Sequence, residues 1–104
     1  MASVIVIARV RPRAETRHEF LALLEEVQAA SRLDDGCEEY GYHAELTDPD
    51  SLVAVEEWRD MPALEAHLRQ PHVGRLVAAL PAMVAQPPSV VVHQIASSGA
   101  LPLP

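Results

Sequence analysis

One stretch of the chain concentrates the side chains that could do chemistry. An apolar run ends in Glu56-Glu57-Trp58, and His67 and His72 follow within the next fourteen residues. A carboxylate and an imidazole can each accept or donate a proton near neutral pH. The indole of Trp58, the only tryptophan, can form one wall of a pocket for a flat aromatic molecule. These residues are therefore the first candidates for a small-molecule site.

Each candidate also has an ordinary structural role. Trp58 could be a large core residue at the end of a strand, and Glu56, two residues away on the same face, could form an ion pair with Arg9. His67 follows Leu64 on the apolar side of a predicted helix, where a histidine is usually hydrogen-bonded within the core. Both sets of roles stay open from these residues alone.

Three further polar side chains belong to the candidate site. His72 stands at the predicted start of a helix, where the helix dipole favours a neutral imidazole that could act as a base or could cap the helix. Tyr40 and Tyr42 alternate along a predicted strand and therefore share one face. Tyr40 could donate to a substrate oxygen, or it could pack across the sheet.

The hydrophobic pattern predicts the element order βαββααβ. Val4 to Val10 is β-branched and apolar, and the last strand has the same character. Thr16 and Glu19 have the spacing of a capping box before an amphipathic helix, and Asp60 can cap the second helix. A turn is expected at Thr47 to Asp50. The remaining predicted elements are a helix ending before 34–36, strands at 37–46, 51–58 and 90–95, and helices after Asp60 and from His72.

This order predicts an α+β, ferredoxin-like fold with a four-stranded antiparallel sheet and helices on one face. The first strand is apolar on both faces, so the second face of the sheet needs a cover. We expect a homodimer whose two sheets close into a dimeric α+β barrel. The predicted domain covers residues 1–95, and the Ser-, Gly- and Pro-containing segment 96–104 is expected to be a flexible tail.

Composition excludes several classes of function. The formal net charge is −7, from 15 acidic and 8 basic residues, which disfavours nucleic acid binding. A single cysteine, Cys37, excludes an internal disulfide and thiolate-rich zinc sites. The spacing of histidines and carboxylates indicates no metal trio. The sequence has no apolar run long enough to span a membrane and no signal-peptide pattern, so we expect a soluble, cytoplasmic protein.

Several motifs in order resemble the antibiotic biosynthesis monooxygenase family over about residues 3–95. They are the apolar first strand, Gly36-Cys37-x-x-Tyr40, Glu56-x-Trp58, Ala63-Leu64-x-x-His67 and Pro71-His72. The resemblance implies the dimeric barrel described above. It also implies a monooxygenase that oxidises a quinol or polycyclic aromatic phenol with O2 and without a cofactor. On this basis the expected catalytic residues are Trp58, His67, His72 and Tyr40, and the expected substrate-binding residues are Trp58, Glu56, Arg9 and Leu64.

Two alternatives remain on the same fold. One is a non-catalytic protein that binds a small molecule. The other is haem degradation, although haem-degrading relatives carry an asparagine on the first strand and a histidine within the third helix. Here the first-strand position is Ala8, and the third helix has no histidine beyond His72. Haem is therefore the weaker alternative.

Overall fold

The computed structural model describes residues 2–104 and contains one four-stranded sheet covered on one face by helices. The elements follow the predicted order. They are β1 (Val4–Val10), a short 3-10 turn (Ala14–Thr16), α1 (Arg17–Ser31), β2 (Cys37–Glu45), β3 (Asp48–Trp58), α2 (Met61–Leu68), α3 (Pro71–Met83) and β4 (Ser89–Gln94). The predicted α+β ferredoxin-like fold is confirmed.

The sheet has the strand order β2-β3-β1-β4, and all neighbouring strands are antiparallel. The register places Val4 opposite Trp58 and Val6 opposite Glu56. Residues directly opposite each other point to the same face, so these four side chains share the face that the helices cover. Arg9 lies opposite Val53 and points to the uncovered face.

The core lies between the sheet and the helices and is mainly aliphatic, as the composition predicts. One cluster surrounds Trp58, and a second surrounds Phe20. The buried members of the first cluster are Val4, Val6, Val27, Tyr40, Trp58, Ala63 and Leu64. The candidate site therefore lies in the core rather than beside it.

Two short connections bring the polar candidates into this core. After α1 the chain turns at Gly36, whose φ is +80°, and the Gly36 carbonyl accepts from the Arg59 N–H at 2.8 Å. This turn joins the start of β2 to the end of β3. Asp60 then accepts from the Ala63 N–H at 2.9 Å, so α2 begins immediately after β3, as predicted. His67 consequently lies over the sheet two turns later.

Two local predictions are wrong. The Thr16 side chain does not cap α1; its hydroxyl donates to the Met83 carbonyl at 2.9 Å and ties the helix start to the end of α3. The turn between β2 and β3 occupies Leu46 and Thr47, because Asp48 already belongs to β3. At Thr16 a long-range contact thus replaces the expected local hydrogen bond, whereas the turn is simply shorter than predicted.

The segment after β4 has neither helix nor strand, and its Leu101 and Leu103 are exposed. The division into a domain at 1–95 and a flexible tail at 96–104 stays a prediction, and residue 1 lies outside the described residues. None of the helices within residues 2–104 combines the length and the apolar character required to traverse a lipid bilayer.

Replacing Gly36 by alanine should destabilise the protein by at least about 2 kcal/mol. A left-handed conformation costs a non-glycine residue about 1–2 kcal/mol, and the new Cβ would lie 2.5 Å from the Ala63 Cβ. Gly74→Ala is the matched control, because this exposed helical glycine has open space around it. It should be neutral or stabilise by up to about 1 kcal/mol. Urea unfolding of both variants measures the difference, and equal effects would contradict the assigned role of Gly36.

Candidate functional site

Trp58 is the central aromatic residue of the site and is fully buried. Its ring lies 4.4 Å from the His67 ring, centroid to centroid, at an interplanar angle of 36°. Tyr40 meets Trp58 edge-on, with centroids 6.4 Å apart. The indole N–H donates to Glu56 Oε1 at 3.0 Å. Trp58 therefore fixes the positions of an imidazole and a carboxyl group at once.

Asp34 joins the two histidines through one oxygen atom. Its Oδ2 lies 2.7 Å from His67 Nδ1 and 2.9 Å from His72 Nε2. Asp34 follows α1, His67 lies on α2 and His72 is in the first turn of α3. Because a carboxylate can only accept hydrogen bonds, both ring nitrogens donate. The arrangement thus assigns the proton of neutral His67 to Nδ1 and that of neutral His72 to Nε2.

The other nitrogen of His67 faces Glu56. His67 Nε2 lies 3.9 Å from Glu56 Oε1, so the imidazole stands between two carboxyl groups. Burial raises the pKa of Glu56 to about 7, and the hydrogen bond from Trp58 partly opposes this increase. Burial also lowers the pKa of His67, although Asp34 acts in the opposite direction. At neutral pH this geometry favours an uncharged imidazole with its Nε2 lone pair facing Glu56.

The two tyrosines share a face, as predicted. Their hydroxyl oxygens lie 3.1 Å apart, and the Tyr40 ring lies 5.6 Å from the His67 ring, centroid to centroid. Burial, the neighbouring tyrosine and Glu56 raise the pKa of Tyr40 far above its usual range. Burial raises the pKa of Tyr42 to about 12, against a lowering by its bond to Tyr40. Both phenols keep their protons at neutral pH.

The structure separates the two remaining predicted substrate-binding residues. Leu64 is buried in the same core cluster as Trp58. Arg9 points to the opposite face of the sheet, away from Glu56. The expected ion pair between Arg9 and Glu56 is therefore wrong; the register places Glu56 opposite Val6, and its carboxyl group accepts from Trp58 instead.

Sequence reasoning missed Asp34. The run Asp34-Asp35-Gly36 reads as the end of a helix, and more than thirty residues separate Asp34 from both of its imidazole partners. The expectation that no histidine–carboxylate trio is assembled is wrong here: ligand atoms of Asp34, His67 and His72 all lie within 4.8 Å of one another. Among residues 2–104, these three residues are the group that could hold a metal ion.

The interior of this cluster is packed rather than open. A groove of about 590 Å³ runs beside β2 and includes Tyr40 in its lining, but neither Trp58 nor His67 lines it. The cluster approaches the surface at Asp34 and His72, whose side chains are 11% and 10% exposed. The Glu56 side chain, next to Trp58, is 9% exposed, so a molecule that reaches Trp58 from either end must displace a packed side chain.

Replacing Glu56 by glutamine should change how stability depends on pH. The pKa of Glu56 is higher in the folded protein than in the unfolded chain, so the folded state binds more protons between about pH 4.5 and 7. The free energy of unfolding should therefore fall as pH rises through this window. Glutamine does not titrate, so the variant does not lose stability in this way. Its free energy of unfolding should therefore rise by about 3 kcal/mol relative to that of the wild type between pH 5 and 8.

Chemical denaturation in chelator-containing buffer at several pH values measures this difference. His67 changes the free energy of unfolding in the opposite direction. Its pKa is lowered in the folded protein, so its contribution to stability increases as pH rises, and this contribution is present in both proteins. Glu65→Gln, at an exposed position on α2, is the control. A constant difference between Glu56→Gln and the wild type would contradict a protonated, buried Glu56.

Comparison with known proteins assigns the chain to a family. Residues 3–79 match the family model described as antibiotic biosynthesis monooxygenase. "Putative monooxygenase Rv0793" of Mycobacterium tuberculosis is 35% identical over 89 residues, which cover 86% of this chain and 87% of that protein. "Probable quinol monooxygenase YgiN" of Escherichia coli is 31% identical over 81 residues, which cover 70% of this chain and 78% of that protein.

The solved structures agree with the sequence comparison. The structure of Rv0793 superposes with a TM-score of 0.86 at 30% identity and covers 93% of this chain and 98% of that chain. A crystal structure of an antibiotic biosynthesis monooxygenase superposes with a TM-score of 0.82 at 30% identity and covers 90% of this chain and 99% of that chain. The resemblance seen in the sequence motifs is confirmed: the chain belongs to the antibiotic biosynthesis monooxygenase family.

Proposed function

We propose that the protein is a cofactor-independent monooxygenase that oxidises a quinol or a polycyclic aromatic phenol with O2. Family membership and the similarity to monooxygenase-named relatives support a monooxygenase-type function. The observation that carries the finer proposal is the position of His67, packed against Trp58 with Asp34 on one nitrogen and Glu56 facing the other. This is a proton-transfer group beside an aromatic surface in a water-poor environment.

The chemistry requires little from the protein beyond these groups. A phenol that loses its proton becomes electron-rich and can transfer an electron to O2 directly. Recombination forms a C–O bond, and loss of water leaves a quinone carbonyl. One oxygen atom enters the product, the other becomes water, and the substrate supplies all four electrons. The protein must accept the phenol proton, align the ring and exclude bulk water.

The proposed roles require a packed side chain to move and admit the substrate, because Trp58 is fully buried in the substrate-free protein. Trp58 then stacks on the substrate ring, and Leu64 completes the apolar wall. His67 accepts the phenol proton through Nε2, while Asp34 holds the imidazole through Nδ1. Glu56 and Tyr40 provide hydrogen-bonding groups beside that proton, and His72 keeps Asp34 in place from the surface side. Arg9 takes no part at this face of the sheet.

We also propose a homodimer that acts in the cytoplasm. The uncovered face of the sheet carries apolar side chains in register, since Ile7 lies opposite both Val55 and Val91. Val91 is 44% exposed in the single chain. A second sheet would remove this patch from water and close the barrel. The cytoplasmic location rests on the single cysteine, which suits a reducing compartment.

One observation favours a non-catalytic alternative. Trp58 and His67 are almost completely buried, with exposures of 0% and 3%, so both could simply stabilise the core. In that case the protein would bind a small molecule in a surface groove without transforming it. Haem degradation has less support, since Ala8 stands in place of the first-strand asparagine and α3 has no histidine beyond His72.

Oxygen uptake by metal-stripped protein, measured with a panel of dihydroquinones and hydroxylated polycyclic aromatics, separates these functions. His67→Gln should reduce kcat/KM by about 100-fold or more, as expected for loss of a general base. Trp58→Phe keeps a ring in the core but removes the N–H donor to Glu56, and it should reduce the rate less. Trp58→Ala is unsuitable, since emptying this buried position would cost about 3–5 kcal/mol of stability.

His18→Gln, at an exposed position on α1, is the matched control and should leave the rate unchanged. Circular dichroism confirms that each variant is folded. If no compound in the panel produces protein-dependent uptake, the oxygenase proposal fails. If His67→Gln lowers stability but not the rate, His67 belongs to the scaffold.

The dimer is tested by one matched pair of substitutions. Val91→Glu places a charge in the proposed interface and should convert the dimer to a monomer. Val77→Glu places the same charge on the exposed surface of α3, where Val77 is 58% exposed, and should leave the dimer intact. Light scattering after size exclusion measures the mass. A monomeric wild type, or a dimer that tolerates Val91→Glu, would contradict the proposed interface.

A further inference from the structure

We propose that Asp34, His67 and His72 form a binding site for one divalent first-row transition metal ion. Their ligand atoms lie within 4.8 Å of one another, although they come from three separate segments of the chain. Two imidazoles and one carboxylate form a donor set that Zn²⁺, Co²⁺, Fe²⁺ and Ni²⁺ accept. The proposal goes beyond the proposed function and does not depend on it.

The three ligand atoms already converge on one point. His67 Nδ1 and His72 Nε2 lie 2.7 Å and 2.9 Å from the same Asp34 oxygen. Metal–ligand bonds of about 2.0–2.2 Å would require these separations to open to about 3.0–3.4 Å. Each neutral imidazole would present its lone pair to the ion and keep its single proton on the other nitrogen. The two nitrogens lie within 4.8 Å of each other and would also have to settle at about 3.0–3.4 Å, so binding requires a shift of up to about 1.5 Å between the rings and a tautomer change.

A second observation points to a ligand at this position. Histidines that bind metals usually donate their remaining N–H to a carboxylate, a carbonyl or a water molecule, which fixes the ring. When His67 binds through Nδ1, its Nε2–H faces Glu56 Oε1, 3.9 Å away. Glu56 is itself held by the Trp58 N–H. Glu56 is therefore the outer partner that a metal-bound His67 would use, once this 3.9 Å separation closes to the roughly 2.7–3.2 Å of a hydrogen bond.

The site is enclosed but reachable. The His67 side chain is 3% exposed, whereas those of His72 and Asp34 are 10% and 11% exposed. An ion can therefore enter at the His72 edge and keep a water molecule there as a fourth ligand. The Arg59 guanidinium forms ion pairs with Asp35 and Asp60. The Asp34 carboxylate instead contacts the two imidazoles and is available to a cation held between them.

A bound ion would connect the loop after α1 to the end of α2 and the start of α3. It would also occupy the His67 nitrogen that otherwise donates to Asp34. With the ion bound, His67 would carry its proton on Nε2 and could not accept the phenol proton there, so the two properties are measured on separate samples of one preparation. Oxygen uptake is followed on metal-stripped protein, and metal binding is followed by calorimetry and absorbance. Failure of either leaves the other unaffected.

The experiment is a titration of the metal-stripped full chain with Co²⁺ and Zn²⁺. We expect one ion per chain by calorimetry, a visible d–d absorption band for Co²⁺, and a higher thermal unfolding midpoint with either ion. Asp34→Asn and His72→Gln each remove one ligand near the surface and should weaken binding by more than about 100-fold. Glu56→Gln keeps all three ligands and should weaken binding by about 10- to 100-fold.

His18→Gln is the control and should bind like the wild type, because this exposed histidine lies outside the cluster. Circular dichroism shows whether each variant is folded. Two results would overturn the proposal: absence of saturable binding by the wild type, or wild-type affinity in folded Asp34→Asn and His72→Gln. In either case the trio is a hydrogen-bonded cluster that holds no ion.

Discussion

The shared Asp34 oxygen is the contact on which the candidate site depends. It accepts hydrogen bonds from the imidazoles of His67 on α2 and His72 on α3, and it fixes which nitrogen of each ring carries the proton. Without it, His67 would lie between an indole and a carboxyl group with no defined orientation. A buried polar group that loses its partner costs about 1–3 kcal/mol, so the cluster also holds α2 and α3 in position.

The rest of the fold supplies the geometry that this contact requires. The Gly36 turn places Asp34 beside the end of β3, and the Asp60 cap starts α2 directly after that strand. The consequence is a polar chain inside an aliphatic core, which runs from His72 through Asp34 and His67 to Glu56 and Trp58. The packing also limits access, because the side chains of these five residues are between 0% and 11% exposed. Function and stability are therefore closely coupled at this site.

The spacing of apolar residues is sufficient to predict the fold. The alternation of side chains along strands and their spacing on helices are sufficient to predict part of the site. Alternation along the strands correctly predicted that Glu56 and Trp58 share a face, and helical spacing placed His67 over the sheet. The alternation of side chains along single strands cannot show which face of β1 lies on the same side of the sheet as Glu56 on β3. The sequence alone therefore predicts a pair between Arg9 and Glu56 that the register does not allow. Asp34 could not be predicted, since its partners lie more than thirty residues away and its local context reads only as a helix end.

The most direct test of the central contact is nitrogen-15 NMR of histidine-labelled, metal-free protein near neutral pH. Chemical shifts and one-bond couplings identify the protonated nitrogen of each ring. We expect a proton on Nδ1 of His67 and on Nε2 of His72, with both assignments lost in Asp34→Ala, which removes the acceptor oxygen. Rapidly averaging tautomers in the wild type, or a spectrum that Asp34→Ala leaves unchanged, would show that Asp34 does not organise the site.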